Sequence, residues 1–439
     1  MMKRKAGLLT ALVLALLFCH ESGAEEAPAF DLSEIEREVE KKPYAIHGFL
    51  QAQPTLSGLD RDSSLYRLRF FREDPGATAE ESDVGARLEG TLHYGNLSAF
   101  ARVDSFLAHD YNGWDGDMTL MEGYLSFKPA PRMTLEAGKR VTKWGKGYAW
   151  NPVAFVDRPK NPEDPEEALE GYTVLAGDFI RSLAGPLQTL AFTPVLLPVY
   201  EDLNDDFGKA GHVNLAAKLY ALLWDTDLDL LFFTGASRTT RWGFDFSKNL
   251  LPQFEIHGEA AWVKDFPKKS FPQAGQAVST ETDVWNYLLG IRYLTQSELT
   301  VIFEYYHNGE GVDPDDLDNL YASIDDAYDA YQQTGDPALF GPVKQLVGGG
   351  FTWRNPLEDY LYLRLIQKEP FDILYLNPAC TIIAALNDGS FNLIPELSYS
   401  PVTNLELRLR SVLPVGGNKT EYGEKQSDWR VEFRLRYFF

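Results

Sequence analysis

The stretch Trp429-Arg430-Val431-Glu432-Phe433-Arg434-Leu435-Arg436-Tyr437-Phe438-Phe439 alternates with a period of two. Trp429, Val431, Phe433, Leu435, Tyr437 and Phe439 fall on one face, and Arg430, Glu432, Arg434 and Arg436 on the other. A strand with one apolar and one fully charged face sits between two different environments. The pattern recurs along the chain. Leu405, Leu407 and Leu409 alternate with Glu406, Arg408 and Arg410. Val84, Ala86, Leu88, Leu92 and Tyr94 alternate with Asp83, Arg87, Glu89, Thr91 and His93. After Gly95-Asn96, a hairpin turn pair, Leu97, Ala99, Ala101, Val103 and Leu107 alternate with Ser98, Arg102 and Asp104.

A soluble sandwich also alternates, so the connections decide. Short ones at 95–96, 129–132, 184–186, 225–226, 295–297 and 401–404 interleave with long polar ones at 54–82, 108–116, 144–171, 199–211, 264–282 and 308–359. Short periplasmic turns alternating with long external loops are the rhythm of an outer-membrane barrel. The expected fold is therefore all-β: a transmembrane, antiparallel, up-and-down β-barrel over residues 44–439. It has about 18 strands, with 16 as the nearest alternative. The count is least secure between 348 and 375, where 348–353 reads as one more strand. One helix is expected where Leu32, Ile35 and Val39 share a face and Ser33 with Glu36 forms a capping box. A second follows Asp313-Pro314, with Leu317, Leu320, Tyr321, Ile324, Tyr328 and Tyr331 at helical spacing. Its apolar face requires it to fold onto or into the barrel mouth.

Met1-Met2-Lys3-Arg4-Lys5, the apolar run 6–18 and the small residues Ser22-Gly23-Ala24 read as a secretory signal peptide over residues 1–24, followed by a periplasmic segment over 25–43. The 439 residues carry 64 acidic and 41 basic side chains, a formal net charge of −23, which makes nucleic acid a poor partner. Beyond the signal, Cys380 is the one cysteine, so no internal disulfide is expected. No later apolar stretch is long enough for a spanning helix.

With these residues in view, the chain resembles Gram-negative outer-membrane porins over nearly all of 44–439. The resemblance is carried by the terminal strand ending Arg436-Tyr437-Phe438-Phe439. It is also carried by Arg140-Val141-Thr142-Lys143-Trp144-Gly145, followed by Asn151-Pro152. The latter is similar to an Arg-x-x-x-Trp-Gly segment entering a long loop in poorly characterised porin-like barrels. The resemblance implies an outer-membrane location, with lipid, lipopolysaccharide and small hydrophilic solutes as partners. It also implies a Phe439 signal read by the barrel-assembly machinery, and homo-oligomers, which are common in the class. Some barrels of this appearance sheathe a cytochrome for electron export, which is kept as an alternative.

In such a barrel the polar face lines the lumen. The expected lining is Arg87, Glu89, Arg102 and Asp104 on early strands, Arg140, and Glu406, Arg408, Arg410, Arg430, Glu432, Arg434 and Arg436 on the last two. Their arginines would form a basic wall, unless cross-strand pairing with the acids absorbs it. The proline-stiffened loop from Trp144 to Glu170 is the candidate constriction, through Trp144, Asp157, Arg158, Glu163, Asp164, Glu166 and Glu167. Acids on an inward loop opposite a basic wall would create a transverse field. Lys139, Lys143 and Lys146 could instead face lipid head groups at the rim. Glu255, His257 and Glu259 share one face, and a polar wall explains them better than a metal site. No cofactor is implied, and no nucleophile or acid–base pair for a rim enzyme stands out. The expected function is a channel for passive or mildly selective diffusion of small hydrophilic solutes.

Overall fold

The structure is a computed structural model that describes residues 42–110, 113–347 and 354–439. The expected signal peptide, the helix near 33–39 and the alternative strand at 348–353 lie outside the described residues. Eighteen strands form: β1 Tyr44–Leu59, β2 Thr78–Tyr94, β3 Leu97–Asp110, β4 Gly113–Ala130, β5 Met133–Arg140, β6 Tyr172–Ser182, β7 Leu187–Val199, β8 His212–Leu223 and β9 Thr226–Thr234, then β10 Arg241–Leu251, β11 Phe254–Gln273, β12 Gln276–Leu294, β13 Leu299–Asn308, β14 Asp359–Gln367, β15 Leu376–Ala385, β16 Phe391–Val402, β17 Leu405–Val415 and β18 Ser427–Phe438. Among the described residues, α-helices lie in the connections at α1 Ser64–Phe70, α2 Pro314–Thr334 and α3 Phe340–Val347.

Each strand pairs antiparallel with the next, and β1 pairs with β18, Phe49 opposite Phe438 and Ala52 opposite Leu435. The sheet closes on itself, so no strand is left with an unpaired edge. Alternation holds through the closure. Val84, Leu88 and Leu92 on β2, Trp285 and Leu289 on β12, and Phe433, Leu435 and Tyr437 on β18 are all exposed on the outer face. An apolar surface of this extent, encircling a barrel whose backbone is fully paired, is built for hydrocarbon.

The long connections depart from expectation in two places. β11 and β12 run on to meet at a two-residue turn, Ala274-Gly275, so 264–282 is a projecting hairpin. Pro267 and Pro272 make that stretch read as loop. The hairpin absorbs them beside two bulges, between Val263 and Phe266 and between Ser270 and Gln273. Likewise β3 and β4 reach Asp110 and Gly113, which shortens the expected 108–116 loop.

The hairpin projects because α2 covers it. Asp313 caps the N-terminus of α2 by accepting the Asp316 N–H at 2.8 Å, and Gly335 ends it in a left-handed conformation. Leu317, Leu320, Tyr321 and Ile324 are buried against Phe271, Leu357, Tyr360 and Tyr422. Asn319 Nδ2 donates to the Phe271 carbonyl at 2.8 Å, and Gly275 N–H to Ser323 Oγ at 2.8 Å. The expected helix thus closes over the mouth with its apolar face inward.

Candidate functional site

Residues 141–171, between β5 and β6, fold into the barrel. The path is set by carboxylates of the wall. Glu259 on β11 accepts the N–H groups of Lys146 at 2.5 Å, Gly147 at 2.6 Å and Val153 at 3.2 Å, and Asn151 Nδ2 at 2.9 Å. Glu304 on β13 accepts the N–H groups of Tyr148 and of Ala149 (2.9 Å), and bonds His257 Nε2 at 2.9 Å. Both carboxylates are buried. A buried carboxylate is tolerated when several donors converge on it, and here most donors are peptide groups of one tight turn. The turn needs Gly145, at φ +98°, where a Cβ would lie 2.7 Å from Glu259 Oε1. Glu255, His257 and Glu259 therefore belong to a polar wall that anchors the loop.

Trp150 carries the loop to the far side. Its indole stacks on Tyr306 of β13 with ring centres 5.1 Å apart, and lies 6.0 Å from the rings of Tyr360 and Tyr362 on β14. β5 and β14 are nine strands apart in a ring of 18, so the loop crosses the full width of the lumen. The buried aromatic cluster continues from Trp150 to α2 and fills the space beside β12–β17.

The returning limb is held by the last strands. Arg408 Nη1 donates to Asp164 Oδ2 at 2.9 Å, with Arg410 Nη1 at 3.2 Å. Arg430 Nη2 donates to Glu163 Oε2 at 3.0 Å, and Asn392 Nδ2 to Glu163 Oε1 at 2.9 Å. Burial alone would raise the Asp164 carboxyl, but Arg408 and Arg410 outweigh it and hold it below the ordinary aspartate value. Glu163 and Asp164 thus touch the arginine wall directly. Glu166 and Glu167 form no ion pair among the described residues and are exposed; Glu167 accepts only from Asn161 Nδ2, at 3.2 Å.

The other expected lining residues pair across strands. Arg87 binds Asp104 and Arg102 binds Glu89 and Glu122, the last two contacts at 2.7 Å each. Arg410 and Arg430 both reach Glu432 at 2.7 Å, and Arg434 reaches Glu406 at 2.6 Å. Arg140 pairs with Glu136. Arg436 differs: it makes no ion pair among the described residues and donates to Gln51 Oε1 at 2.7 Å. Its guanidinium and that of Arg87 lie 4.1 and 5.1 Å from the centre of the Phe49 ring.

Asp157 works within the loop, accepting the N–H groups of Thr142 at 2.6 Å and Trp144 at 3.1 Å. Arg158 fastens the loop's base, donating to the Glu170 and Gly171 carbonyls at 2.9 Å and to Asp206 at 2.7 Å. The three lysines do not follow the rim expectation. Lys139 pairs with Glu170, Lys146 lies 2.9 Å from buried Asp229, and Lys143 lines an internal cavity. For Lys146, the buried Asp229 and Asp245 of the wall hold the positive charge more strongly than a lipid surface would.

Among the described residues, the loop is bordered by a larger and a smaller cavity. The larger, about 380 Å³, lies between it and Arg102 and Glu122 on β3 and β4. The smaller, about 200 Å³, lies against β5–β8, between Arg140, Asp178, Lys218 and Tyr220. Trp144, itself buried, forms part of the wall of both. Glu304 was not singled out from the sequence, although its parity on β13, opposite outward Phe303, places it among the inward residues.

No family model matches the chain, and no curated protein matches it in sequence. In fold it is similar to OpdQ of Pseudomonas aeruginosa, at 11% identity and a TM-score of 0.50, over 91% of this chain and 98% of that one. OccAB2 of Acinetobacter baumannii aligns at 10% identity and a TM-score of 0.49, over 90% and 98% of the two chains. OccK5 (OpdH) of Pseudomonas aeruginosa aligns at 12% identity and 0.48, over 90% and 98%. At these identities the likeness is one of fold alone.

Proposed function

We propose that the protein is an outer-membrane, porin-like channel for passive or mildly selective diffusion of small hydrophilic solutes, with residues 141–171 as its constriction. One observation carries the reading: a polar loop spans the whole lumen of a closed, lipid-facing barrel and leaves charged cavities beside it. Glu166 and Glu167 on the loop, which form no ion pair among the described residues, and Arg87 and Arg436 on the wall are the charges that would act on a solute passing beside it. A barrel that sheathes a cytochrome has less support, because the chain's own loop and aromatic cluster occupy the interior.

Purified protein in planar bilayers is expected to give discrete conductance steps in potassium chloride. Deleting residues within 161–169 is expected to enlarge them, because the limb held by Arg408 and Arg430 is removed. Protein that inserts as a heat-modifiable barrel yet shows no steps would overturn the reading. Epitope tags at Asp74 and Gly335 are expected to be reached on intact cells, and a tag at Gly95 is not.

A further inference from the structure

The larger cavity contains charges of both signs, and nearly all are already engaged. Arg102 is bound by Glu89 and Glu122, and Asp157 by the Thr142 and Trp144 peptides. Arg158 is held by the Glu170 and Gly171 carbonyls, and Lys160 Nζ donates to the Gly147 carbonyl at 2.7 Å. Two charges remain. Neither the Lys143 ammonium nor the Glu166 carboxylate makes a hydrogen bond or an ion pair among the described residues, and both are exposed to the cavity they line. They lie on opposite limbs of the loop, one before its far turn and one after it.

The backbone at Lys143 is a second, independent observation. Lys143 sits at φ 57°, a left-handed conformation that a lysine rarely takes. Asp157 imposes it by gripping the peptides on both sides, at Thr142 and Trp144. Strain of this kind persists only where the surroundings over-determine it, and it gathers where a side chain must be aimed. Here it accompanies an ammonium group with no partner among the described residues.

We propose that the cavity is a binding chamber for small zwitterions, in which Lys143 receives a carboxylate and Glu166 an ammonium group. This rests on the channel reading above and adds a solute class to it. A volume of about 380 Å³ suits a solute of a few heavy atoms with its water. A zwitterion meets both free charges at once. A simple anion leaves Glu166 unmet and is repelled by it and by Glu167, and a simple cation leaves Lys143 unmet.

The test compares three solutes of nearly equal size: β-alanine, propionate and propylammonium. Proteoliposomes containing the full barrel are expected to take up labelled β-alanine with saturation and the two single-charge solutes without it. Lys143→Gln and Glu166→Gln are each expected to raise the half-saturating β-alanine concentration about fivefold, the scale of one solvent-accessible charge-assisted contact. Asp315→Asn, on the exposed face of α2, serves as the control. Linear β-alanine uptake, or saturation unchanged in both variants, overturns the chamber while a persisting potassium chloride conductance leaves the channel standing. Loss of conductance and of uptake of all three solutes in the unaltered protein overturns the channel itself.

Discussion

The Ala149 N–H points into the wall of the barrel and donates to Glu304 on β13 at 2.9 Å. A loop that begins at β5 is thereby fastened to a strand on the opposite side, by a main-chain donor and a buried acid. Glu259 does the same for Lys146, Gly147 and Val153. Apart from Gly145, which the turn requires, and Asn151, whose side chain also donates to Glu259, the fastening depends on main-chain donors and on the two wall acids.

Glu259→Gln with Glu304→Gln is therefore expected to release the loop while leaving the barrel intact. Each amide puts a donor where a peptide N–H needs an acceptor, which costs on the order of 1–3 kcal/mol per buried group. Hydrogen exchange across 145–153 should speed by at least about tenfold, and single-channel current should become noisier. The heat-modifiable barrel band should remain. Exchange rates equal to those of the parent protein would show that the aromatic contacts of Trp150 alone hold the loop.

Changing Arg408, Arg430 and Arg434 together to Gln should shift ion selectivity towards cations. Three positive charges leave the lumen; Glu163 and Glu406 lose their guanidinium partners, and Asp164 keeps only Arg410. Exposed charges are screened within about 8–10 Å at physiological salt, so Asp315→Asn should change the ratio much less. An unaltered permeability ratio in the triple variant would mean that these arginines serve only to pair acids.

What the sequence made legible follows from which surroundings constrained it. β2, β3, β17 and β18 separate lipid from lumen, so most of their residues obey the alternation and the strands can be read directly. Above the membrane nothing enforces that contrast. The β11–β12 hairpin, with Lys268, Lys269 and Pro272, looks like loop because α2, fifty residues further on, is what covers Phe271. The long loop could be located but not its fastening. Asp164 and Arg408 are charged side chains and invite pairing, whereas most of the groups that Glu259 and Glu304 hold are peptide N–H groups, which every residue but proline carries.

Deleting Phe439, or replacing it with a charged residue, should lower the amount of inserted barrel. Its N–H donates to the Gly48 carbonyl at 3.0 Å and its carbonyl accepts the Gly48 N–H at 3.1 Å, the last pair of the β1–β18 closure. Its ring lies over Gly48, where a Cβ would meet it at 2.7 Å. The closing seam loses both contacts in the deletion. Phe439→Tyr keeps them and should insert normally. Heat-modifiable band intensity in outer-membrane fractions measures the effect, and equal intensity for the deletion would count against a role in closure or assembly.

The mouth should close more firmly in acid, through Glu421 in the connection between β17 and β18. This side chain is buried beneath α2 and accepts the Tyr360 hydroxyl at 2.6 Å, with the Lys425 ammonium 3.9 Å away. Burial pushes its carboxyl up from 4.5 to about 7, with Lys425 and Tyr360 opposing and Asp388 and Glu163 adding to the rise. If the connection swings open, water returns the group to its ordinary value. The closed mouth therefore binds the proton more tightly than the open one. Its contribution is complete below about pH 4.5, declines as the pH rises to about 7, and is constant beyond. The span corresponds to a stabilisation on the order of 3 kcal/mol. Glu421→Gln stays neutral at every pH and its carbonyl can still accept from Tyr360, so it should hold the mouth in its acid form. Hydrogen exchange of 416–426 and α2, measured at pH 5 and pH 8 with rates corrected for intrinsic chemistry, reads the difference. The parent protein should open more readily at pH 8 and the variant equally at both. A variant that keeps the full pH dependence would place the sensitivity elsewhere, Asp388 being the nearest other acid.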